Sequence, residues 1–304
     1  MEMVTTMITP YKADGSIDYD TAERYVEWYY ESGLDGIFAV CQSSEIFYLS
    51  LDERVELNRR VYQRAKSLNE NFLVVSSGHV SDTLEEQAEE LNAIYQSGTD
   101  ALILITNRLD LHNEGDDVFI ANAEKLIAQL PPEAKFGLYE CPYPYKRLVT
   151  PKILDWCLST DRFYYMKDTC CDAALIAKRA EQLKGSHFKL LNANCQTLLQ
   201  TMRDGADGYC GIMCNYHPKL YAWLGKHYTE PEADWMQSIL SAFGFTAETF
   251  AYPLNAKYHM NLCGILTESI ARSCVADPRT EYMKMNLQQM KFAADRLEEY
   301  LGIQ

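Results

Sequence analysis

The sequence predicts a (β/α)₈ barrel, that is, a TIM barrel, followed by a C-terminal helical extension. The chain has 304 residues, of which 47% are hydrophobic, and this is enough to form one large core. Short apolar runs alternate with longer amphipathic stretches, which is typical of parallel strands joined by helices. There are eight such runs, and about ninety residues follow the last one. Eight strands favour a closed barrel.

The predicted strands are short segments rich in apolar and β-branched residues. They cover residues 3–8, 36–40, 72–76, 101–106, 135–140, 163–167, 188–192 and 208–213. The stretches between them carry apolar residues at three- and four-residue spacing, which predicts helices. These helices cover residues 19–32, 51–67, 83–96, 117–130, 151–158, 173–183 and 197–203. Asp18 or Asp20, Ser50, Asp82 and Thr150 precede four of them as capping residues.

The residues after the eighth strand predict further helices at 231–249, 254–274 and 280–301. We therefore divide the chain into a barrel, residues 1–225, and an extension, residues 226–304, which pack as one structural unit. We expect the extension to cover one side of the barrel and to make subunit contacts.

The composition favours a protein that acts on small molecules. The formal net charge is −15 and the isoelectric point is about 4.9, which opposes binding to nucleic acid or to anionic membranes. No apolar run approaches the ~18 residues that cross a bilayer, and the first residues do not resemble a signal peptide. We expect a soluble, cytoplasmic protein without nucleic-acid or membrane partners.

Cysteine and histidine are the residue types that would indicate disulfides or metals. The ten cysteines form no CxxC pair, and we expect most of them to be small buried hydrophobic residues. The adjacent Cys170 and Cys171 are either structural or redox-sensitive. The six histidines show no close pair at ligand spacing, so a metal-dependent enzyme is the weaker alternative.

Lys167 is the most unusual polar residue of the predicted strands. It ends the apolar run 163–166, and the carboxyl ends of barrel strands are where active sites form. Burial disfavours an ammonium group and so favours the neutral amine that attacks a carbonyl. Asp168, the next residue, should point away from Lys167. A lysine at a strand end can also be merely structural, with its amine reaching out to solvent.

Two neighbouring segments supply the context for Lys167. Tyr139 ends the preceding strand, where its phenol can pass protons during imine chemistry. Ser43 and Ser44 follow strand two in a tight loop whose hydroxyl and N–H groups can bind a substrate carboxylate.

Several motifs resemble those of the dihydrodipicolinate synthase and N-acetylneuraminate lyase family of pyruvate-dependent aldolases. T-P-Y-K at 9–12 is followed by D-G-S-I-D at 14–18 and by G-L-D-G at 33–36. The Y-x-x-P motif has its counterpart in Tyr139 and Pro142, and M-K-D-T at 166–169 is similar to the strand-six motif. The resemblance extends over roughly residues 3–300.

The resemblance implies a class I aldolase or lyase in which Lys167 forms a Schiff base with pyruvate or another 2-oxo acid. Tyr139 is then the proton shuttle, and no metal or organic cofactor is needed. The family's carboxylate-binding loop corresponds to residues 41–45, where Gln42 replaces a hydroxyl residue and Ser43 keeps one. Family members assemble as dimers or tetramers, so a homodimer or homotetramer is expected.

Other positions depart from the family and bear on the substrate. Pro144 stands where synthases have an arginine, and Lys146 or Arg147 is a possible substitute. Sialate lyases have acidic residues where this chain has Asn194 and Cys195. We expect a sugar-acid-like 2-oxo acid. Its candidate contacts, besides the loop at 42–44, are Asn192, Asn194, Glu140, Tyr143 and Cys210.

Alternatives remain open at this point. One is a dihydrodipicolinate synthase-type condensation, and another is a non-catalytic barrel that binds a small 2-oxo acid. Hydration, dehydration and decarboxylation would use the same imine, because it is an electron sink for all of them.

Overall fold

Eight parallel strands close into a barrel in the computed structural model, which describes residues 1–274 and 277–303. Each strand pairs with the next, and β8 pairs with β1. The strands are β1 (Glu2–Thr6), β2 (Gly36–Phe38), β3 (Leu73–Ser76), β4 (Ala101–Ile105), β5 (Phe136–Tyr139), β6 (Phe163–Asp168), β7 (Lys189–Asn192) and β8 (Gly208–Gly211). The predicted TIM barrel is confirmed. Its core lies inside the barrel and between the strands and the surrounding helices.

Helices follow the strands around the outside of the barrel. They are α1 (Tyr19–Glu31), α2 (Leu51–Leu68), α3 (Leu84–Ser97), α4 (Asp116–Ile127), α5 (Pro151–Thr160), α6 (Ala173–Leu183), α7 (Leu198–Arg203) and α8 (Pro218–His227). The sequence did not predict α8, which begins at Pro218 and spans the proposed boundary at residue 225. The division into barrel and extension therefore stays a prediction.

The described part of the extension contains three helices, α9 (Glu232–Glu248), α10 (Leu254–Leu262) and α11 (Glu281–Leu301). The predicted helix over 254–274 is wrong beyond Leu262. Gly264 has a φ of 84°, which a continuing helix excludes, and the amide of Asn261 is bonded to the backbone of Thr267 instead. No helix in the described ranges is both long and apolar enough to cross a membrane.

Side chains cap the helices largely where the sequence predicts. Asp18 accepts a hydrogen bond from the N–H of Thr21, and Thr150 caps α5 ahead of a proline. Ser50 and Glu53 form a reciprocal capping box at α2. The cap of α3 is Thr83 rather than Asp82.

The segment before residue 275 folds back over the mouth of the barrel. The N–H and hydroxyl groups of Ser273 both donate to Oε1 of Glu45, each at 2.7 Å, across a sequence separation of 228 residues. Arg272 binds the Glu53 carboxylate at 2.7 Å. Residues from both ends of the chain therefore meet at the carboxyl edge of the sheet.

Candidate active site

A cavity of about 660 Å³ opens at the carboxyl ends of the strands. Its walls come from the loop after β2, from β5 and β6 with the loops that follow them, from the loops after β7 and β8, and from the connection between α9 and α10. This volume suits a small organic ligand. The location is the one at which barrel enzymes place their active sites.

Lys167 and Tyr139 lie side by side on this cavity. They are direct register partners on the parallel strands β6 and β5, so both side chains point to the same face. Nζ of Lys167 is 4.4 Å from the centre of the Tyr139 ring and 5.6 Å from that of Phe38. No acceptor within the described residues forms a hydrogen bond with this Nζ. The amine therefore faces the cavity without competition from a carboxylate.

Asp168 points away from Lys167, as the strand alternation predicts, and enters a buried ion cluster. Arg179 contacts Asp168 and binds Oε1 of Glu140 at 2.7 Å, and all three side chains are at most 3% exposed. Burial and the nearby Asp168 raise the pKa of Glu140. Oε2 of Glu140 accepts from the N–H of Thr169 at 2.9 Å. The cluster thus ties together the ends of the two strands that carry Tyr139 and Lys167.

The predicted contact of Glu140 with substrate is corrected by this cluster. Glu140 follows Tyr139 on its strand, so its side chain takes the opposite face and is fully buried behind the cavity. Its role in this fold is to hold Arg179 and the backbone of Val149.

The Tyr139 hydroxyl meets the loop after β2. It donates to Oε1 of Gln42 at 3.3 Å, and the thiol of Cys141 approaches the same oxygen at 3.4 Å. Burial raises the pKa of Tyr139 well above its ordinary value, and the nearby Cys141 and Cys41 add to the effect. The phenol is therefore held protonated and aligned as a donor.

Ser43 and Ser44 separate into different roles. Ser43 lines the cavity, and its hydroxyl donates to Oγ1 of Thr6 at 3.1 Å. Ser44 is fully buried, and its Oγ lies 2.8 Å from the carbonyl oxygen of Met7 and accepts from the N–H of Cys41. The prediction that Ser44 contacts substrate is corrected, because the short 3₁₀ turn at Gln42–Ser44 directs its side chain into the core.

The remaining predicted contacts divide in the same way. Asn194 and Tyr143 line the cavity. Asn192 does not: its amide is bonded to the hydroxyls of Thr197 and Thr201 at 3.0 and 2.9 Å. Cys210 is buried in a small apolar pocket inside the barrel that Lys167 also lines, and burial raises its pKa to about 12. Asn192 and Cys210 are therefore structural neighbours of the site.

The two proposed substitute cations also differ. Arg147 is buried and paired with Asp110 at 2.9 Å and with Asp116 at 2.7 Å. Lys146 lines the cavity, where its Nζ donates to the carbonyl oxygen of Thr169 at 2.6 Å. Lys146 is the cation of this pair that a ligand can reach.

Sequence reasoning missed several residues on the cavity, among them Tyr252 and Glu248 from the extension. Burial raises the pKa of Tyr252, and hydrogen bonds with Ser43 and Thr6 act in the opposite direction. Its hydroxyl also accepts from Nδ2 of Asn215 at 3.4 Å. No motif marks these positions, since they depend on how α9 and α10 dock on the barrel.

The histidines and cysteines give no metal centre in the described ranges, where no group of three potential ligands comes together. Two histidines that are distant in sequence do meet: the rings of His217 and His259 are 4.7 Å apart and buried. Six of the ten cysteines are buried, as expected. Cys171 is exposed at the rim of the cavity.

Comparison with known proteins shows which family the chain resembles. Residues 1–110 match the model of the dihydrodipicolinate synthetase family. A 4-hydroxy-tetrahydrodipicolinate synthase from Shewanella piezotolerans is 23% identical over 95% of this chain and 97% of its own. YagE, an Escherichia coli K12 prophage protein of the dihydrodipicolinic acid synthase family solved in complex with pyruvate, superposes with a TM-score of 0.84 at 20% identity over 97% of this chain and 98% of its own. A monomeric dihydrodipicolinate synthase variant gives a TM-score of 0.84 at 18% identity over 95% of both chains.

Proposed function

We propose that this chain, which belongs to the dihydrodipicolinate synthetase family as a divergent member and is a carbon–carbon lyase, acts through a Schiff base between Lys167 and a 2-oxo acid. The observation that carries the proposal is the register pairing of Lys167 with Tyr139 at the cavity. A buried amine beside a protonated phenol is the arrangement that imine chemistry needs.

The reaction follows from these two groups. Nζ of Lys167 attacks the ketone carbon of the 2-oxo acid, water leaves, and an imine forms. Tyr139 gives its proton to the hydroxyl that leaves as water and becomes a phenolate. The imine takes up the electron pair of the carbon–carbon bond one carbon away from the imine carbon as that bond breaks, and an aldehyde departs. The Tyr139 phenolate takes the proton from the hydroxyl that becomes the aldehyde oxygen. Protonation of the remaining enamine and hydrolysis of the imine release the shorter 2-oxo acid, and the reverse sequence forms the bond.

The substrate carboxylate is assigned to the hydroxyl groups beside the loop after β2. Ser43 faces the cavity, and Tyr252 brings a second hydroxyl to the same place. Both can donate hydrogen bonds to an anion. Gln42 cannot titrate, so its amide orients the Tyr139 hydroxyl rather than relaying protons.

We further propose a sugar-acid-like 2-oxo acid as substrate and no metal or organic cofactor. A cavity of about 660 Å³ is larger than pyruvate requires, and Asn194 and Tyr143 offer polar groups beyond the amine. The protein with pyruvate in its crystal structure supports pyruvate as the 2-oxo acid part.

A second candidate is synthase-type condensation of pyruvate with an anionic aldehyde. It is favoured by the name of the Shewanella relative and by Lys146, which can bind an anion at the cavity. Assembly as a homodimer or homotetramer also remains a proposal, because a monomeric variant exists among the similar structures.

Borohydride trapping tests the imine. The protein is incubated with pyruvate and sodium borohydride, and peptide mass spectrometry locates the reduced adduct. We expect the adduct on Lys167 in the wild type and none in Lys167→Ala. Tyr139→Phe should still be trapped but should turn over about 100-fold more slowly or worse, since it loses general acid–base catalysis.

Lys146 is the internal control, because it is a second lysine on the same cavity. An adduct on Lys146, or equal labelling in Lys167→Ala, would contradict the assignment. The absence of an adduct with pyruvate and with a panel of longer 2-oxo acids would do so as well.

A further inference from the structure

Glu248 is a carboxyl group on the active-site cavity that the reaction above does not use. It ends α9 and faces the cavity beside Asn194. Its partners are weak donors: the thiol of Cys195 at 3.5 Å and the amide of Gln196 at 3.4 Å. No cation of the described residues pairs with it.

The position of Glu248 is fixed by close packing of α9 on the loop after β7. Gln237 donates to the carbonyl oxygen of Cys195 at 2.7 Å and accepts from the N–H of Leu199 at 3.0 Å. At Gly244 a methyl group would overlap Sγ of Cys195, so only glycine allows this approach. The helix is therefore held against the loop, and the carboxyl group of Glu248 in its last turn lies at the cavity.

An unpaired carboxyl group in this position needs hydrogen-bond donors. Burial raises the pKa of Glu248 because its neighbours compensate its charge poorly. Hydroxyl groups of a ligand are suitable donors, and a diol can bind both carboxylate oxygens. A second anionic group on the ligand would be repelled.

Resting on the proposed imine chemistry, we propose that Glu248 binds hydroxyl groups of the aldehyde part of the substrate and makes the enzyme select neutral, polyhydroxylated aldehydes. The assignment gives the extension a direct part in substrate choice. It also favours the sugar-acid-like substrate over an anionic aldehyde, in spite of Lys146 elsewhere on the cavity.

The test compares three aldehydes as partners of pyruvate: glyceraldehyde, which is hydroxylated, propionaldehyde, which is not, and glyoxylate, which is anionic. Wild type should prefer glyceraldehyde. Glu248→Ala should lose about 10- to 100-fold in kcat/KM for glyceraldehyde, the range expected for a hydrogen bond to a charged group. Propionaldehyde should change less than about threefold, and glyoxylate should improve.

Glu232→Ala is the matched control, since it removes an exposed carboxylate from the first turn of the same helix, at the end opposite Glu248. It should leave the ranking of the aldehydes unchanged. Equal losses for all three aldehydes in Glu248→Ala, or a wild-type preference for glyoxylate, would overturn the inference. So would imine trapping without turnover of any hydroxylated aldehyde. Failure of wild type to trap pyruvate would instead overturn the proposed function, so the two failures are distinguishable.

Discussion

Replacement of Arg179 by methionine removes the cation that neutralises two buried carboxylates. The Arg179 side chain is 3% exposed, and those of Glu140 and Asp168 are 0% exposed. Breaking one buried ion pair costs about 3–5 kcal/mol, because the remaining charge is left without compensation. Two carboxylates lose their partner here, but N–H groups of Val149 and Thr169 still bind Glu140. We expect a loss of about 4–5 kcal/mol in the free energy of unfolding near pH 8.

The loss in the free energy of unfolding should be larger at high pH than at low pH. Burial already raises the pKa of Glu140, and without Arg179 its folded-state pKa rises further above the unfolded value of about 4.3. The folded variant then binds more protons than the unfolded chain, so its stability falls as pH rises through the folded-state pKa of Glu140. The deficit relative to wild type should therefore be larger at pH 8 than at pH 5.5.

Urea unfolding followed by circular dichroism at the two pH values measures this difference. Lys152→Met is the control, because its pair with Asp117 has side chains 54% and 90% exposed and should contribute nothing measurable. A loss for Arg179→Met below about 1 kcal/mol, or one equal at both pH values, would refute the account of the cluster as charge compensation.

Two further substitutions test the site and its surroundings. Ser44→Ala should lower the free energy of unfolding by about 1–3 kcal/mol, since it leaves buried backbone groups unpaired. Ser43→Ala should mainly raise KM for the 2-oxo acid. The reverse pattern in urea unfolding and kinetics would contradict the roles assigned to these two serines. Burial lowers the pKa of Lys257 to about 8, so the unfolded chain binds more protons than the folded one between pH 8 and about 10.4. The free energy of unfolding of wild type should therefore rise by up to about 3 kcal/mol relative to that of Lys257→Met as pH rises through this window. Parallel curves of stability against pH for the two proteins would contradict this prediction.

The eight strands and the helices α1–α7 were predictable because each of them leaves its own period in the sequence, whereas α8 was not predicted. The pairing of Tyr139 with Lys167 followed from their places at the ends of adjacent strands. Alternation also placed Asp168 on the outer face correctly. The same rule, applied to Glu140 and Asn192, would have placed them behind the cavity, since Asn192 is the register partner of Asp168.

The parts that were not predicted depend on contacts between distant segments. Glu248 and Tyr252 reach the cavity through the docking of α9 and α10, and no local pattern encodes that docking. The early end of α10 depends on the turn around Gly264 and on the amide of Asn261. Ser44 was misplaced because a 3₁₀ turn, rather than an extended loop, sets the direction of its side chain.

The contact between Glu45 and Ser273 bears on when the protein becomes competent during folding. The two residues are 228 positions apart in the sequence, so the contact closes a long loop. Such a closure is costly because chain entropy must be lost before the contact forms. A nascent chain that has only completed its eight strands still lacks Ser273, Glu248 and Tyr252 from the cavity wall. On the proposed mechanism, the Lys167 amine would then lie in an open barrel mouth, and the proposed selection of hydroxylated aldehydes would be missing. We therefore expect substrate selectivity to appear only when the last third of the chain has docked.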